Sequence, residues 1–348
     1  MSAEGQADAP PEGRVDAPPE GQADTPLLEV SELRVDFRGP RTVRAVEGLS
    51  YTASRSRTVA LIGESGSGKT VSSRAIIGLL PPSAAVSGSI RFEGQELVGL
   101  PERRLRELRG EAIAMVFQDP TRSLNPTMRI GAQIAEAVEL HREVSRAAAL
   151  DRAVELMELV ALPAARDRLR SYPHHLSGGM RQRVMIAIAL AADPRLLIAD
   201  EATTALDVTT QAQIMELLRD LQQRLGMGLI MISHDLGLAA SFADEVVVMY
   251  AGRAVERAPT RDLFASVRMP YTRALLDAIP RLENPAHAPL AAVPGQPPDL
   301  SQPIPGCPFA PRCPEVQDDC RAQEPPYAEQ EPDHLWACWH PCGVGATA

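Results

Sequence analysis

Gly63-Glu-Ser-Gly-Ser-Gly68-Lys69-Thr70 follows the apolar run Val59-Ala-Leu-Ile62 and fits the spacing G-x-x-x-x-G-K-[ST]. Glycines at these places let consecutive backbone N–H groups wrap a phosphate, and a helix starting at the loop presents its positive end to the anion. Lys69 then reaches the β- and γ-phosphates of a nucleotide as a compact point charge, and the Thr70 hydroxyl holds Mg²⁺. Composition singles out the same residue: of 35 basic residues only Lys69 is a lysine. A general preference for arginine explains the others but not one retained ammonium, because a planar guanidinium does not fit a tight loop built around a point charge. A chance glycine-rich turn is the competing reading, and the lysine count weighs against it.

Outward from this loop the chain reads as α/β. Val59–Ile62, Ile113–Phe117, Leu196–Ala199 and Leu229–Ile232 are short continuous apolar runs, as expected of parallel strands buried on both faces. Each is followed closely by a polar residue, and ligands of open α/β sheets lie beyond the carboxyl ends of the strands. After Leu196–Ala199 come Asp200 and Glu201. Asp200 suits Mg²⁺, directly or through water, and Glu201 suits orienting and deprotonating an attacking water. Paired acids at a strand end also serve as helix caps, so this reading leans on the phosphate loop. Leu176-Ser-Gly-Gly179 opens an apolar helix expected to run to about Ala192, giving a second anion site at a helix N-terminus, with an ordinary Ser177 cap as the alternative.

The 348 residues allow two domains of roughly 100–200 residues each. A net charge of −10 argues against nucleic acid as a partner. No stretch approaches the roughly 18 apolar residues of a membrane span, and no basic segment followed by an apolar one marks a secretory signal. A cytosolic chain that meets a membrane only through partners is therefore expected. Residues 1–26 repeat an eight-residue unit rich in Pro, Gly and acid (Gln6–Gly13, then Arg14–Gly21), a composition expected to be disordered. Residues 27–258 carry the α/β pattern, with a helix-rich insertion at about 119–190 where Ala, Arg, Glu and Leu dominate. Residues 259–348 hold much of the proline and all five cysteines, and read as a separate loop-rich tail after one helix, Thr272–Ala278. The basic run Arg103, Arg104, Arg106, Arg109 reads as a solvated helix face rather than a lipid-binding patch.

Gly63–Thr70, Gln118, Leu176–Gln182, Asp200-Glu201, Thr204–Asp207 and His234, taken in order, resemble the motifs of the ABC transporter ATPase family over roughly 230 residues. The resemblance implies an α/β P-loop NTPase ABC cassette with a RecA-like core and a helical subdomain, extended by a loop-rich, Cys-containing C-terminal region. It implies ATP contacts from Phe37, Gly63, Glu64, Ser65, Gly66, Ser67, Gly68, Lys69, Thr70 and Val71. Ser177, Gly178, Gly179 and Asp207 would complete the ATP site of an opposing cassette. It further implies Mg²⁺ held by Thr70, Gln118 and Asp200, and catalytic roles for Glu201, His234, Gln118 and Lys69. Phe37 would stack on adenine, with a core Phe as the alternative. The sequence departs from the family pattern at Arg57, His175 and Ala202, none of which removes a catalytic group.

Phe117-Gln-Asp-Pro120, Ser123-Leu-Asn-Pro126, Tyr172-Pro-His174, Met249–Arg253, Pro270–Leu276 and Gly306–Cys313 resemble the dipeptide/oligopeptide and nickel importer branch. That implies two separate permease subunits, a second ATPase subunit and an extracytoplasmic peptide-binding protein as partners, at the cytoplasmic face of a bacterial inner membrane. The spacing Cys307-x5-Cys313-x6-Cys320-x17-Cys338 matches the C-terminal cysteines of that branch, some members of which carry a [4Fe-4S] cluster. Zinc or reduced structural thiols stay open, although no C-x2-C knuckle favours zinc, and Cys342 is the odd one out. A non-transport ABC ATPase of translation or DNA repair is the rival class. Against it stand the single cassette, the acidic charge and the lack of sustained heptads between Lys69 and Ser177.

Overall fold

A computed structural model describes residues 26–204, 206–279 and 293–343. The repetitive arm expected at 1–26 falls, apart from Pro26, outside the described residues. The strands are β1 (Leu28–Phe37), β2 (Val43–Ala53), β3 (Thr58–Ile62), β4 (Ala84–Phe92), β5 (Gln95–Glu96), β6 (Ile113–Val116), β7 (Leu196–Asp200), β8 (Gly228–Ser233), β9 (Glu245–Tyr250), β10 (Arg253–Pro259), β11 (Ala328–Glu331) and β12 (His334–Trp336). An antiparallel sheet runs β2-β1-β4-β5, and the main sheet runs β11-β12-β10-β9-β3-β8-β7-β6.

The main sheet carries the site. β6, β7, β8, β3 and β9 are parallel, so their carboxyl ends share one edge. All residues of β3, β7 and β8 are buried, as their unbroken apolar sequences require. Their side chains divide by period two: Ala60, Ile62, Leu197, Ala199, Leu229 and Met231 join one core, and Val59, Leu61, Leu196, Ile198, Ile230 and Ile232 the other. The antiparallel sheet packs on the second core through Leu28, Val30, Leu33, Val35, Leu49 and Tyr51.

The helices are α1 (Lys69–Ile76), α2 (Glu102–Leu108), α3 (Pro120–Ser123), α4 (Ile130–His141), α5 (Arg146–Leu159), α6 (Ala165–Arg168), α7 (Gly178–Ala189), α8 (Val208–Leu225), α9 (Leu236–Phe242), α10 (Thr260–Ala265), α11 (Pro270–Asp277) and α12 (Asp318–Ala322). Between β6 and β7 the regular elements are all helices, where few β-branched residues oppose helix formation. α4, α5 and α7 bury Ile130, Ile134, Val138, Ala149, Leu156, Met157, Val184 and Ile186 in the first core. α7 stops at Ala189, a turn earlier than the sequence suggested.

Two features depart from the sequence reading. The antiparallel sheet is absent from it, because β1 alternates buried residues with Glu29, Glu32, Arg34 and Asp36 and is interrupted by register shifts after Val30 and Leu33. The region after residue 258, read as a separate loop-rich tail, also adds strands to the main sheet. β12 pairs with β10, Glu256 opposite Trp336, and so extends the main sheet. Beneath this pairing Glu256 is fully buried and accepts the backbone N–H groups of Arg268 and Met269, while its Oε1 lies 2.9 Å from His334 Nε2. A buried carboxylate is tolerable only when its lone pairs are matched in this way. Tyr271 of α11 and Phe309 are likewise buried in the first core, packed against Tyr250 of β9.

Candidate functional site

The Gly63–Thr70 loop turns sharply from β3 into α1, and its glycines are dictated by space. A Cβ on Gly63 would lie 2.2 Å from the Met249 carbonyl oxygen of β9. Gly68 caps α1 at φ 99°, and a Cβ there would lie 2.5 Å from the Ala45 carbonyl oxygen of β2. The loop is therefore pinned between two strands and offers its backbone outward. Lys69 is buried, and its Nζ donates to the Gly63 and Glu64 carbonyls at 2.7 and 2.8 Å and to Ser67 Oγ at 3.2 Å.

Ser65 to Val71 line a cleft of about 830 Å³ with Phe37, Gln118, Glu201 and His234, so five separate segments converge there. Val43 and Ala45 of β2 form part of its wall, and Pro297 to Leu300 of the C-terminal region form another that the sequence reading did not anticipate. Gly63 and Glu64 are not among the lining residues. Glu64, expected from the resemblance to contact ATP, donates its backbone N–H to Tyr271 Oη at 2.9 Å and pairs its carboxylate with Arg312.

At the cleft floor Thr70 Oγ1 donates to Asp200 Oδ1 at 2.8 Å. Asp200 is almost wholly buried, and its Oδ2 has no hydrogen-bond partner. An unmatched buried carboxylate oxygen beside a hydroxyl is a donor set short of a hard cation, so these residues fit Mg²⁺. Burial raises the Asp200 pKa, and burial lowers that of Lys69 against the opposing pull of Glu201, Asp200 and Glu64.

Glu201 takes up φ 47°, which turns its side chain across the end of β7. Its Oε2 accepts from Gln118 Nε2 at 2.6 Å and from Thr204 Oγ1 at 3.1 Å, and His234 Nδ1 lies 3.9 Å away. Thr204 is a contact that the sequence reading did not single out. Ala202, one departure from the family pattern, is buried in the first core, and His175 accepts weakly from the Tyr172 N–H at 3.4 Å while packing edge-on to His174.

Ser177, Gly178, Gly179 and Asp207 do not line this cleft. Ser177 accepts from Met180 N and caps α7, while Asp207 accepts from Thr210 N and caps α8. Gly178 and Gly179 face Leu206 and Thr210, so the two cap turns adjoin each other. Ser177, Gly178 and Asp207 are nevertheless exposed.

Cys307, Cys313, Cys320 and Cys338 line one small pocket and no two of them are bonded. Burial pushes the Cys313 thiol up to about 11 and the Cys338 thiol to about 12, and neighbouring thiols add to both. Four thiols around one pocket, Cys307 and Cys320 buried and Cys313 and Cys338 half-buried, fit a group that binds thiolates, such as a metal or an iron–sulfur cluster. Cys342 does not line the pocket; its N–H donates to the Arg268 carbonyl instead. Asp319, Cys320 and His340 also bring ligand atoms within 4.8 Å of one another, although Asp319 already accepts from the Cys320 N–H and pairs with His340.

Among the described residues no helix is long and apolar enough to cross a membrane. The sequence profile described as "ABC transporter" matches residues 46–204, and that described as "Oligopeptide/dipeptide transporter, C-terminal region" matches residues 255–320. The Oligopeptide transport ATP-binding protein OppD of Mycobacterium tuberculosis is 51% identical over 315 residues, 90% of this chain and 52% of that protein. This chain thus spans about half the length of that relative. OppD of Salmonella typhimurium is 48% identical over 316 residues, 90% of this chain and 94% of its own. Among solved structures, the ATP-binding cassette MJ0796, a dimer in a post-hydrolysis state bound to ADP and Pi, superposes with a TM-score of 0.61. It is 25% identical and covers 67% of this chain and 99% of its own. The chain belongs to the ABC transporter ATP-binding family, in its oligopeptide/dipeptide branch.

Proposed function

We propose that this chain is the ATP-hydrolysing subunit of an importer of di- or oligopeptides, working at the cytoplasmic face of the membrane on two separate permease subunits. The observation that carries the ATPase reading is the cleft in which the phosphate loop, the Thr70–Asp200 pair and Glu201 with Gln118 and His234 meet. The peptide cargo and the permease partners rest on the similarity to the OppD proteins and on the C-terminal profile.

The geometry of the cleft supports the roles that the resemblance implies. Lys69 exchanges its loop carbonyls for β- and γ-phosphate oxygens, aided by the loop's N–H groups and the α1 N-terminus. Thr70, Asp200 and Gln118 would hold Mg²⁺, which supplies neutralisation of charge on the phosphates. Glu201 orients a water in line with the γ-phosphate and takes its proton, while His234 contacts the γ-phosphate oxygen and Gln118 keeps Glu201 aligned. Phe37, which lines the cleft, would stack on the base. Ser177, Gly178 and Asp207, which are exposed, and the half-buried Gly179 serve the nucleotide of a second cassette, so that two ATP molecules lie between two chains. ATP binding closes that pair, hydrolysis opens it, and the motion drives the permeases. Cys307, Cys313, Cys320 and Cys338 hold a [4Fe-4S] cluster, the group best matched to four thiolates without a C-x2-C knuckle.

The test is hydrolysis by the purified chain with MgATP. Glu201→Gln is expected to bind ATP as wild type while turnover falls by roughly 10²- to 10⁴-fold. Near-normal turnover would remove Glu201 as the base.

A further inference from the structure

The phosphate loop carries an acidic residue inside a site for a polyanion. Glu64 follows Gly63 directly, and its carbonyl accepts from Lys69 Nζ. A free carboxylate there would oppose the phosphates and compete for Lys69, whose ammonium already responds to it. In this chain the carboxylate is instead drawn backward. Arg312 Nη1 donates to Glu64 Oε2 at 2.6 Å and Nη2 to Oε1 at 2.9 Å, a bidentate pair between residues 248 apart in sequence.

Arg312 is built into its place. Its side chain is 3% exposed. The guanidinium lies over the rings of Tyr250 and Phe309 at 5.7 and 5.9 Å. Nε and Nη2 donate to the carbonyls of Pro294 and Val293, and Nη1 reaches Tyr250 Oη at 3.3 Å. Tyr271 of α11 holds the Glu64 N–H at the same point, so the C-terminal region grips this residue by both backbone and side chain. Cys313 follows Arg312 directly, and the Cys307 N–H to Cys320 carbonyl bond closes the loop that carries both.

We propose that Arg312 is a positioning residue for nucleotide binding, the counter-ion that neutralises Glu64 and keeps its carboxylate out of the phosphate cleft. The proposal deepens the ATP-binding reading above and rests on it. It gives the cysteine-bearing region a direct part in the nucleotide site: the four-thiol pocket is one residue from the charge that governs the phosphate loop.

The test is ATP affinity of the full chain with Mg²⁺, measured by calorimetry. Arg312→Gln leaves Glu64 unmatched and is expected to raise the Kd about tenfold. Glu64→Gln removes the offending charge, so the Arg312→Gln/Glu64→Gln pair should return to within about threefold of wild type. Amide exchange over residues 60–72 should quicken in Arg312→Gln before any nucleotide is added. Arg312→Lys keeps the charge without the planar fork and should fall between; it carries the test if Arg312→Gln fails to fold. An unchanged Kd in Arg312→Gln, or a double variant as weak as the single one, would overturn the proposal and leave Arg312 a staple of the C-terminal region. Absence of ATP binding by the wild-type chain would instead overturn the nucleotide reading itself.

Discussion

Gly66 and Gly68 both have positive φ, 82° and 99°, yet they differ in what surrounds them. A Cβ on Gly66 meets nothing within 4 Å, whereas one on Gly68 runs into the Ala45 carbonyl. Gly66→Ala therefore costs only the left-handed backbone strain of about 1–2 kcal/mol. Gly68→Ala adds a backbone collision and should lower the melting temperature further, by thermal unfolding of the ATP-free chain. Equal shifts would mean that β2 yields to the added methyl. This loop was legible in the sequence because its signal is compact: glycines, one lysine and one hydroxyl within eight residues, even though the carbonyls that require Gly63 and Gly68 come from β9 and β2. The Arg312–Glu64 pair was not, because neither residue is unusual in its own stretch and only the fold brings them together.

The elements that position the cleft show the same division. β3, β6, β7 and β8 were readable because burial on both faces leaves an unbroken apolar run, and polar residues at their ends foretold where Gln118, Asp200 and His234 lie. β1 and β2 escaped because one-sided burial with register shifts blurs period two, and β12 because three residues carry no period. α8 is a case where an element's end bears on two properties at once. Asp207 accepts from the Thr210 N–H and hydroxyl at 3.0 and 2.8 Å, which holds its carboxyl below the usual range. Asp207→Ala strips the α8 cap and should lower the melting temperature, while Asp207→Asn, which caps nearly as well, should not. If Asp207 also meets an opposing chain, both variants lose ATPase activity, and only the alanine loses stability. Full activity in Asp207→Asn would confine the residue to capping.

At the scale of the molecule the C-terminal region is part of the nucleotide machine, since it extends the main sheet, walls the cleft through Pro297–Leu300 and holds Glu64. Protein purified without air should contain about four iron and four sulfide per chain, lost in Cys313→Ser but kept in Cys342→Ser, by metal and acid-labile sulfide analysis. Metal-free protein that still folds and hydrolyses ATP would reduce the pocket to packing. One chain carries a cleft with its own phosphate loop, and elsewhere an exposed surface of Ser177, Gly178 and Asp207 beside Val208, which is 83% exposed. An apolar residue left so bare beside a helix N-terminus that would favour an anion is accounted for if a second chain covers it once ATP fills the partner's cleft. Glu201→Gln, which holds ATP without consuming it, should therefore double in mass on light scattering with MgATP and return to a monomer without it. Ser177→Arg should bind ATP in its own cleft and yet stay monomeric. A Glu201→Gln monomer at full ATP occupancy would show that this chain does not close on its own copy. The exposed surface would then have to be answered by a different cassette, a result that mixing the two purified ATPases would read directly.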